Sequence, residues 1–342
     1  MKRLLGSLLA SIVFAAFAQT VAAGPLEVPK LTIAVGGKGL FYYLPLTIAD
    51  RLGYFRDEGL EVTIADFPGG AKALQSLMGG SADIVSGSYE HTINMQAKGQ
   101  RIRSVVVQGR YAGIVLGLSK EKAAQYRSPK DLQGLKIGVT APGSSTNLFV
   151  NALLAKEGLK PDAVSIIGVG STSGAIAAMQ KQQIDAIANL DPVINMLEVG
   201  GDIVTKVDTR TIEGQKYVYG IDFAAGVIYS REDFIQKNPA TVQAVVNAMV
   251  RALRWIQRAT PEQIVATVPP EYYGDQKAMY RVALGKNFNA FSPDGMMSMA
   301  AAQNVLNVLK SFEPSVQQAA GRIDLARTFD NRFVLEALKK YK

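Results

Sequence analysis

The chain of 342 residues contains no cysteine. That excludes disulfides, thiolate nucleophiles and cysteine metal sites. It also excludes lipid attachment at an N-terminal cysteine. There is one histidine, His91. One histidine without cysteine is too few ligands for a zinc site, so neither a metal nor a cofactor is expected. No Gly-x-Ser-x-Gly turn joins a strand to a helix, and a catalytic triad would have to use His91. The glycine-rich run Gly36-Gly-Lys-Gly39 lacks the spacing and the Lys-Ser/Thr ending of a phosphate-binding P-loop. Basic residues outnumber acidic ones, 37 to 29. They are scattered and form no dense run interleaved with aromatics, so a nucleic-acid partner is not expected. No long apolar run follows Ala23, so the mature chain is expected to be soluble.

The N-terminus has the pattern of an export signal. Lys2 and Arg3 precede an apolar stretch from Leu4 to Ala18, and Val21-Ala22-Ala23 offers small residues for cleavage before Gly24. Residues 1–23 are therefore read as a signal peptide. An exported, unlipidated, cysteine-free chain fits a Gram-negative periplasm. The remaining length suits two domains. An apolar content of 48% argues for packed cores rather than disorder.

The chain also repeats itself. Leu31-Thr-Ile-Ala-Val35 and its Gly-rich loop match Leu135-Lys-Ile-Gly-Val139 and a Gly/Ser-rich loop. Ala73 to Ile84 aligns without a gap to Ala175 to Ala186. So long a period indicates a duplicated α/β lobe rather than a solenoid unit. The predicted architecture is two open βα sheets joined by two crossovers. Lobe 1 takes residues 24–118 and 221–342, and lobe 2 takes residues 119–220. The crossovers are expected near Ile114–Ser119 and Tyr217–Ser230, both read as extended. Pro239 to Arg258 reads as a long amphipathic helix. Ligands of open parallel sheets lie beyond the carboxyl ends of the strands, which places six loops at an interlobe cleft.

Several segments resemble a known family. Leu46-Thr-Ile-Ala-Asp-Arg-Leu-Gly-Tyr-Phe-Arg-Asp-Glu-Gly-Leu60, Ala73 to Ile84, Pro129-Lys-Asp-Leu-Gln-Gly-Leu-Lys-Ile-Gly-Val139 and Gly226-Val-Ile-Tyr-Ser-Arg-Glu-Asp-Phe234 are similar to periplasmic solute-binding proteins of the nitrate/sulfonate/taurine importer type. The resemblance runs from about Leu31 to Arg258 and fits the segment after Pro261 only loosely. It implies a type II periplasmic-binding-protein fold, a Venus flytrap. Such a receptor, expected as a monomer, passes a small-molecule ligand to an inner-membrane ABC permease driven by a cytoplasmic ATPase. A relative of the same fold is an enzyme making a thiamine pyrimidine through a cysteine-rich motif, which this chain cannot carry.

The candidate ligand-binding residues come from the six loops. Lys38, Phe41 and Tyr42 follow the first strand. Gly70, Ser88 and Tyr89 follow the second and third. Thr140, Ser144, Ser145 and Thr146 form a hydroxyl-rich loop before a helix, where free N–H groups and the helix dipole favour an anion. Ser171 opens a similar turn, and Asn189 and Asp191 close the set. Ordinary N-capping explains Ser and Thr at such positions equally well. A small organic anion is the first expectation. No arginine stands in these loops, although a bidentate clamp on carboxylate or sulfonate favours one. A heteroaromatic solute, such as a thiamine-pyrimidine precursor, therefore remains the alternative, with a periplasmic enzyme or sensor-linked receptor as a third class. His91 is read as a helix-surface residue. Asp191 and Asp222 are read as capping or solvated.

Overall fold

The computed structural model describes residues 25–342, so the expected signal peptide lies outside the described residues. Ten strands are present among them: β1 (Lys30–Val35), β2 (Glu61–Asp66), β3 (Ile84–Ser88), β4 (Ile102–Val107), β5 (Val115–Leu118), β6 (Lys136–Val139), β7 (Ser165–Gly168), β8 (Ala186–Asn189), β9 (Val204–Asp208) and β10 (Gly226–Arg231). They form two five-stranded sheets, ordered β2-β1-β3-β10-β4 and β7-β6-β8-β5-β9. The internal repeat is visible in the register. Ile33 of β1 faces Ile64 and Ile84, and Ile137 of β6 faces Ile166 and Ala186, all in parallel pairs. In each sheet one antiparallel strand is inserted from the other half of the chain. β10 lies between β3 and β4, and β5 lies between β8 and β9.

β5 corrects the expected boundary. It lies at the end of the expected first lobe, yet it belongs to the second sheet, so the first crossing falls between Val107 and Val115. All four residues of β5 are buried. Their backbone groups need two partner strands, and β8 and β9 supply them. The return segment also differs. Ile212–Tyr219 is a helix, started by Thr211 Oγ1 accepting the Gly214 N–H at 3.0 Å, and the strand begins only at Gly226. β9 was not anticipated, because its Val-Thr-Lys-Val-Asp sequence is short and half polar.

The helix Pro239–Arg258 organises the first lobe. It buries Val242, Val245, Val246, Met249, Val250, Leu253 and Ile256, whose spacing of three and four places them on one face. That face packs against helices Leu44–Arg51 and Arg332–Lys340. At its start the Glu27 carboxylate accepts the N–H groups of Ala240 (3.0 Å) and Thr241 (2.8 Å). The C-terminal segment then reaches across to the second lobe. Helix Lys277–Asn287 packs on helix Val193–Gly200, and helix Met299–Lys310 packs on helices Ser145–Lys156 and Ile212–Tyr219.

Candidate functional site

The loops beyond the carboxyl ends of the parallel strands meet across a seam between the sheets. The Ala71 N–H donates to Ser144 Oγ at 2.9 Å, and the Phe41 N–H donates to the Asp191 carbonyl at 3.1 Å. Gly69 is required by this approach, since a Cβ there would stand 2.8 Å from Ala141 Cβ and 3.0 Å from its nitrogen. A Cβ on Gly37, whose φ is +106°, would stand 2.1 Å from Ser171 Oγ. The lobes are shut on one another.

A polar cluster is enclosed at this seam. β3 ends at Ser88, and the following helix Glu90–Ala97 begins with the acid. Ser88 Oγ donates to Glu90 Oε2. Tyr42 stands on the turn Phe41–Tyr43, with its backbone oxygen held by Gln108 Nε2 at 2.9 Å. Tyr219 ends the helix Ile212–Tyr219, and its ring stacks on Phe223 with centroids 4.3 Å apart. The hydroxyls of Tyr42 and Tyr219 are buried and have no hydrogen-bond partner. Burial raises both phenols well above their usual range, and the nearby Glu90 carboxylate raises them further. Burial pushes Glu90 itself up to about 8, opposed only by its own backbone N–H. Buried polar groups without partners are rare in native proteins, which sets these two hydroxyls apart.

His91 corrects the sequence reading. It is 2% exposed, not on the helix surface, and its Nδ1 lies 3.0 Å from the Tyr229 hydroxyl. The first turn of its helix faces β10, so His91 points inward. Burial lowers its pKa to about 4, which keeps the ring neutral, and Nε2 is unpartnered. Gly70 lies beside it, since a Cβ there would be 3.6 Å from His91 Cε1 and 4.0 Å from Ser144 Oγ.

An outer cavity of about 470 Å³ opens at another part of the seam. Lys38, Asp66 and Ser171 are among its lining residues. Asp66 Oδ1 accepts the N–H groups of Gly37 (2.9 Å) and Lys38 (2.8 Å) and so fixes this loop. Tyr272, Tyr273 and Tyr280 form its aromatic wall, and Phe41 packs edge-on to Tyr280 at 4.6 Å. Sequence reasoning missed these tyrosines because they lie beyond the reach of the family resemblance. Their clustering within nine positions was the available signal.

Other expected ligand residues are committed elsewhere. The Thr140 and Thr146 hydroxyls bond to each other at 2.9 Å, and the Thr140 N–H also goes to Thr146. Ser144 is engaged by Ala71, while Ser145 is half-buried at the first helical position. The Tyr89 hydroxyl meets Thr328 Oγ1 at 2.5 Å in the first-lobe core, away from the seam. Asn189 is satisfied by Gly170 and Leu190. Asp191 does accept the Asn195 N–H as a cap, but it is fully buried rather than solvated. Arg210 Nη1 lies 3.1 Å from Asp191 and Asn287 donates to it at 2.6 Å. The same guanidinium binds Glu198 (2.7 Å) and Asp208 (2.8 Å). Burial pushes Glu198 up, but hydrogen bonds from Arg210, Lys286 and Thr205 outweigh it and hold the carboxyl at about 2. Asp191 is thus unavailable as an acid–base partner of Glu90. Among the described residues no cluster of three His, Asp or Glu is placed to hold a metal ion.

Comparison with known proteins agrees with this architecture. A solved protein from Bordetella bronchiseptica RB50 is 50% identical and superimposes with a TM-score of 0.89 over 93% of this chain and 99% of its own. The periplasmic aliphatic sulphonate binding protein SsuA from Escherichia coli is 20% identical, with a TM-score of 0.63 over 87% of this chain and 96% of its own. That likeness carries the fold alone: two-lobed, α/β, of the periplasmic-binding-protein type. A protein of Brucella abortus (strain 2308) is 27% identical over 225 residues, and the chain spans 64% of its length. The model of the NMT1/THI5-like family matches residues 41–264, and the chain belongs to that family.

Proposed function

We propose that this protein is the substrate-binding component of an ABC importer, and that it captures a small organic solute at the seam between its lobes. The observation that carries this reading is the enclosed cluster of Tyr42, Ser88, Glu90 and Tyr219, drawn from both lobes and leaving two buried phenols unpartnered. The two crossings between the sheets support a hinge, since a few backbone rotations there move each lobe as a unit. Export to the periplasm through cleavage near Ala23, monomeric behaviour and delivery to a membrane permease follow from the same reading. Turnover is not expected: Glu90 lacks a neighbouring base, and His91 is buried against Tyr229.

Of the two ligand classes, the anion draws less support than the loops suggest, because Thr140, Thr146 and Ser144 are engaged within the protein. The heteroaromatic or otherwise neutral solute is favoured by the stacked Tyr219–Phe223 pair beside Glu90. Native mass spectrometry of the exported protein is expected to reveal a copurified solute, released unchanged. Small-angle scattering is expected to show an expanded envelope once it is removed. A profile that stays the same with and without a saturating solute would remove the receptor reading, and so would a chemically altered product.

A further inference from the structure

Two ion-pair clusters in this protein are balanced in opposite ways. In the second lobe one guanidinium, that of Arg210, meets three carboxylates. At the buried Glu232 of the first lobe the ratio inverts. Its carboxylate lies 2.7 Å from Arg103, 3.0 Å from Arg327 and 3.7 Å from Arg101. Arg231 precedes it in the chain and has Asp233 at 3.4 Å. Asp330 is 3.8 Å from Arg103, but it already has Arg332 at 2.7 Å. With that pair set aside, four guanidinium groups face two carboxylates, and positive charge is left over. The cluster stands at the end of the first sheet away from the seam. Gly226 of β10 pairs with Ser88 at the seam end, and Arg231 closes the strand opposite Ile102, where β4 starts. The six residues of β10 separate those ends by about 16 Å. A cavity of about 370 Å³ opens there. Arg101, Arg231 and Arg327 line it, Gln100 and Gln236 add amide donors, and the two carboxylates complete the wall.

We infer that this pocket is a second binding site, separate from the solute seam, and that it takes a multiply charged oxyanion of the phosphate type. The guanidinium groups are held from behind. Arg327 Nη2 donates to both Glu232 oxygens, at 3.1 and 3.0 Å. Arg231 Nη1 donates to the Leu77 carbonyl at 2.8 Å, and Arg103 Nε donates to the Arg327 carbonyl at 3.2 Å. Arg101 is 65% exposed at its side chain and beyond hydrogen-bond distance of Glu232, so its fork is not spent on that acid. The planar fork of arginine matches phosphate oxygens in pairs, and such charge-assisted bonds are the strong ones. A singly charged ion leaves part of the excess unmatched, which favours phosphate and pyrophosphate over chloride. The occupied site joins three segments: the entry to β4, the end of β10 and the turn Leu325–Arg327. Just beyond that turn Phe329 pairs with Ser104 of β4. The anion therefore fastens the C-terminal segment to the first sheet, and a ligand of the folded state alone stabilises it.

The test titrates the full exported protein, after exhaustive dialysis, with sodium pyrophosphate by calorimetry, and melts it in pyrophosphate and in chloride at the same ionic strength. Pyrophosphate is expected to bind and to raise the melting temperature above that in chloride. Arg101→Gln/Arg327→Gln is expected to weaken the binding at least tenfold and to abolish the rise. Arg101→Gln alone touches no buried bond of Glu232 and is expected to weaken it several-fold with a cooperative melt retained. Lys160→Gln/Lys181→Gln removes the same charge from exposed positions of the second lobe and is expected to leave the binding unchanged. No difference between pyrophosphate and chloride overturns the inference. So does an affinity that both arginine variants retain, or an equal loss in the lysine variant, which would reduce the effect to overall charge.

Discussion

Arg210 offers the most direct test of what holds the second lobe together around the turn after β8. Its side chain is 3% exposed and meets three carboxylates, those of Asp191, Glu198 and Asp208, at side-chain exposures of 0%, 18% and 24%. Arg210→Met keeps much of the volume and removes the charge. Glu198 then retains Lys286 at 2.8 Å, and Asp208 reaches solvent. Asp191 is left with Asn287 at 2.6 Å and the Asn195 N–H at 2.9 Å, and no cation. Stranding one member of a buried pair costs about 3–5 kcal/mol. Because two neutral donors remain on Asp191, the lower end applies, about 3 kcal/mol. That is a large fraction of a typical folding stability of about 5–15 kcal/mol. In a melt followed by circular dichroism it corresponds to roughly 6–12 °C, at about 2–4 °C per kcal/mol.

The pH dependence supplies a second check on Arg210. Burial already raises the Asp191 carboxyl above its ordinary value against the opposing pull of Arg210, and loss of the guanidinium raises it further. The variant's deficit then shrinks as pH falls and Asp191 takes up its proton. The double variant Asp191→Asn/Arg210→Met is expected to recover much of the loss at pH 7. The wild type behaves oppositely through Glu198, held at about 2 against an ordinary value of 4.5. That contribution is complete above about pH 4.5 and is lost as pH falls towards 2. An Arg210→Met deficit below about 1 kcal/mol at pH 7, or one that does not narrow on acidification, refutes the reasoning.

Three further outcomes are expected. Glu90→Gln removes an acid that the empty protein holds protonated up to about pH 8 while the unfolded chain ionises near 4.5. Its stability advantage over wild type therefore grows between those values, at up to about 1.4 kcal/mol per pH unit and on the order of 5 kcal/mol in all, and matched melts at pH 5 and pH 8 read it. Gly69→Val places a side chain where a Cβ already meets Ala141 at 2.8 Å. It is expected to hold the lobes apart, giving a larger radius of gyration by scattering and weaker solute binding with little change in melting temperature. Tyr89→Phe loses the bond to Thr328 at 2.5 Å. It costs about 1 kcal/mol of stability with solute affinity unchanged, and a change in affinity alone would return Tyr89 to the site.

The sequence by itself determined the two-lobed α/β plan. The duplicated Leu31–Val35 and Leu135–Val139 strands, and the paired Ala73 and Ala175 helices, are local patterns, and parallel strands buried on both faces are written as short apolar runs. Both copies occupy equivalent places in their sheets. Composition also bounded the chemistry, because cysteine is absent from the whole chain. Tertiary structure alone decided where β5 belongs, since pairing depends on which open strand edges lie nearby and not on the strand's own residues. It decided the fate of the hydroxyl loop as well. Thr140 and Thr146 read as ligand donors in one dimension, but six residues apart they close on each other. Arg210 and Asp191, nineteen positions apart, become partners only when the end of β9 comes beside the turn after β8. The hydroxyls of Tyr42 and Tyr219 end buried without partners, and His91 turns inward onto Tyr229. Burial and partnership at long range are properties of packing, so no periodicity or spacing in the chain encodes them.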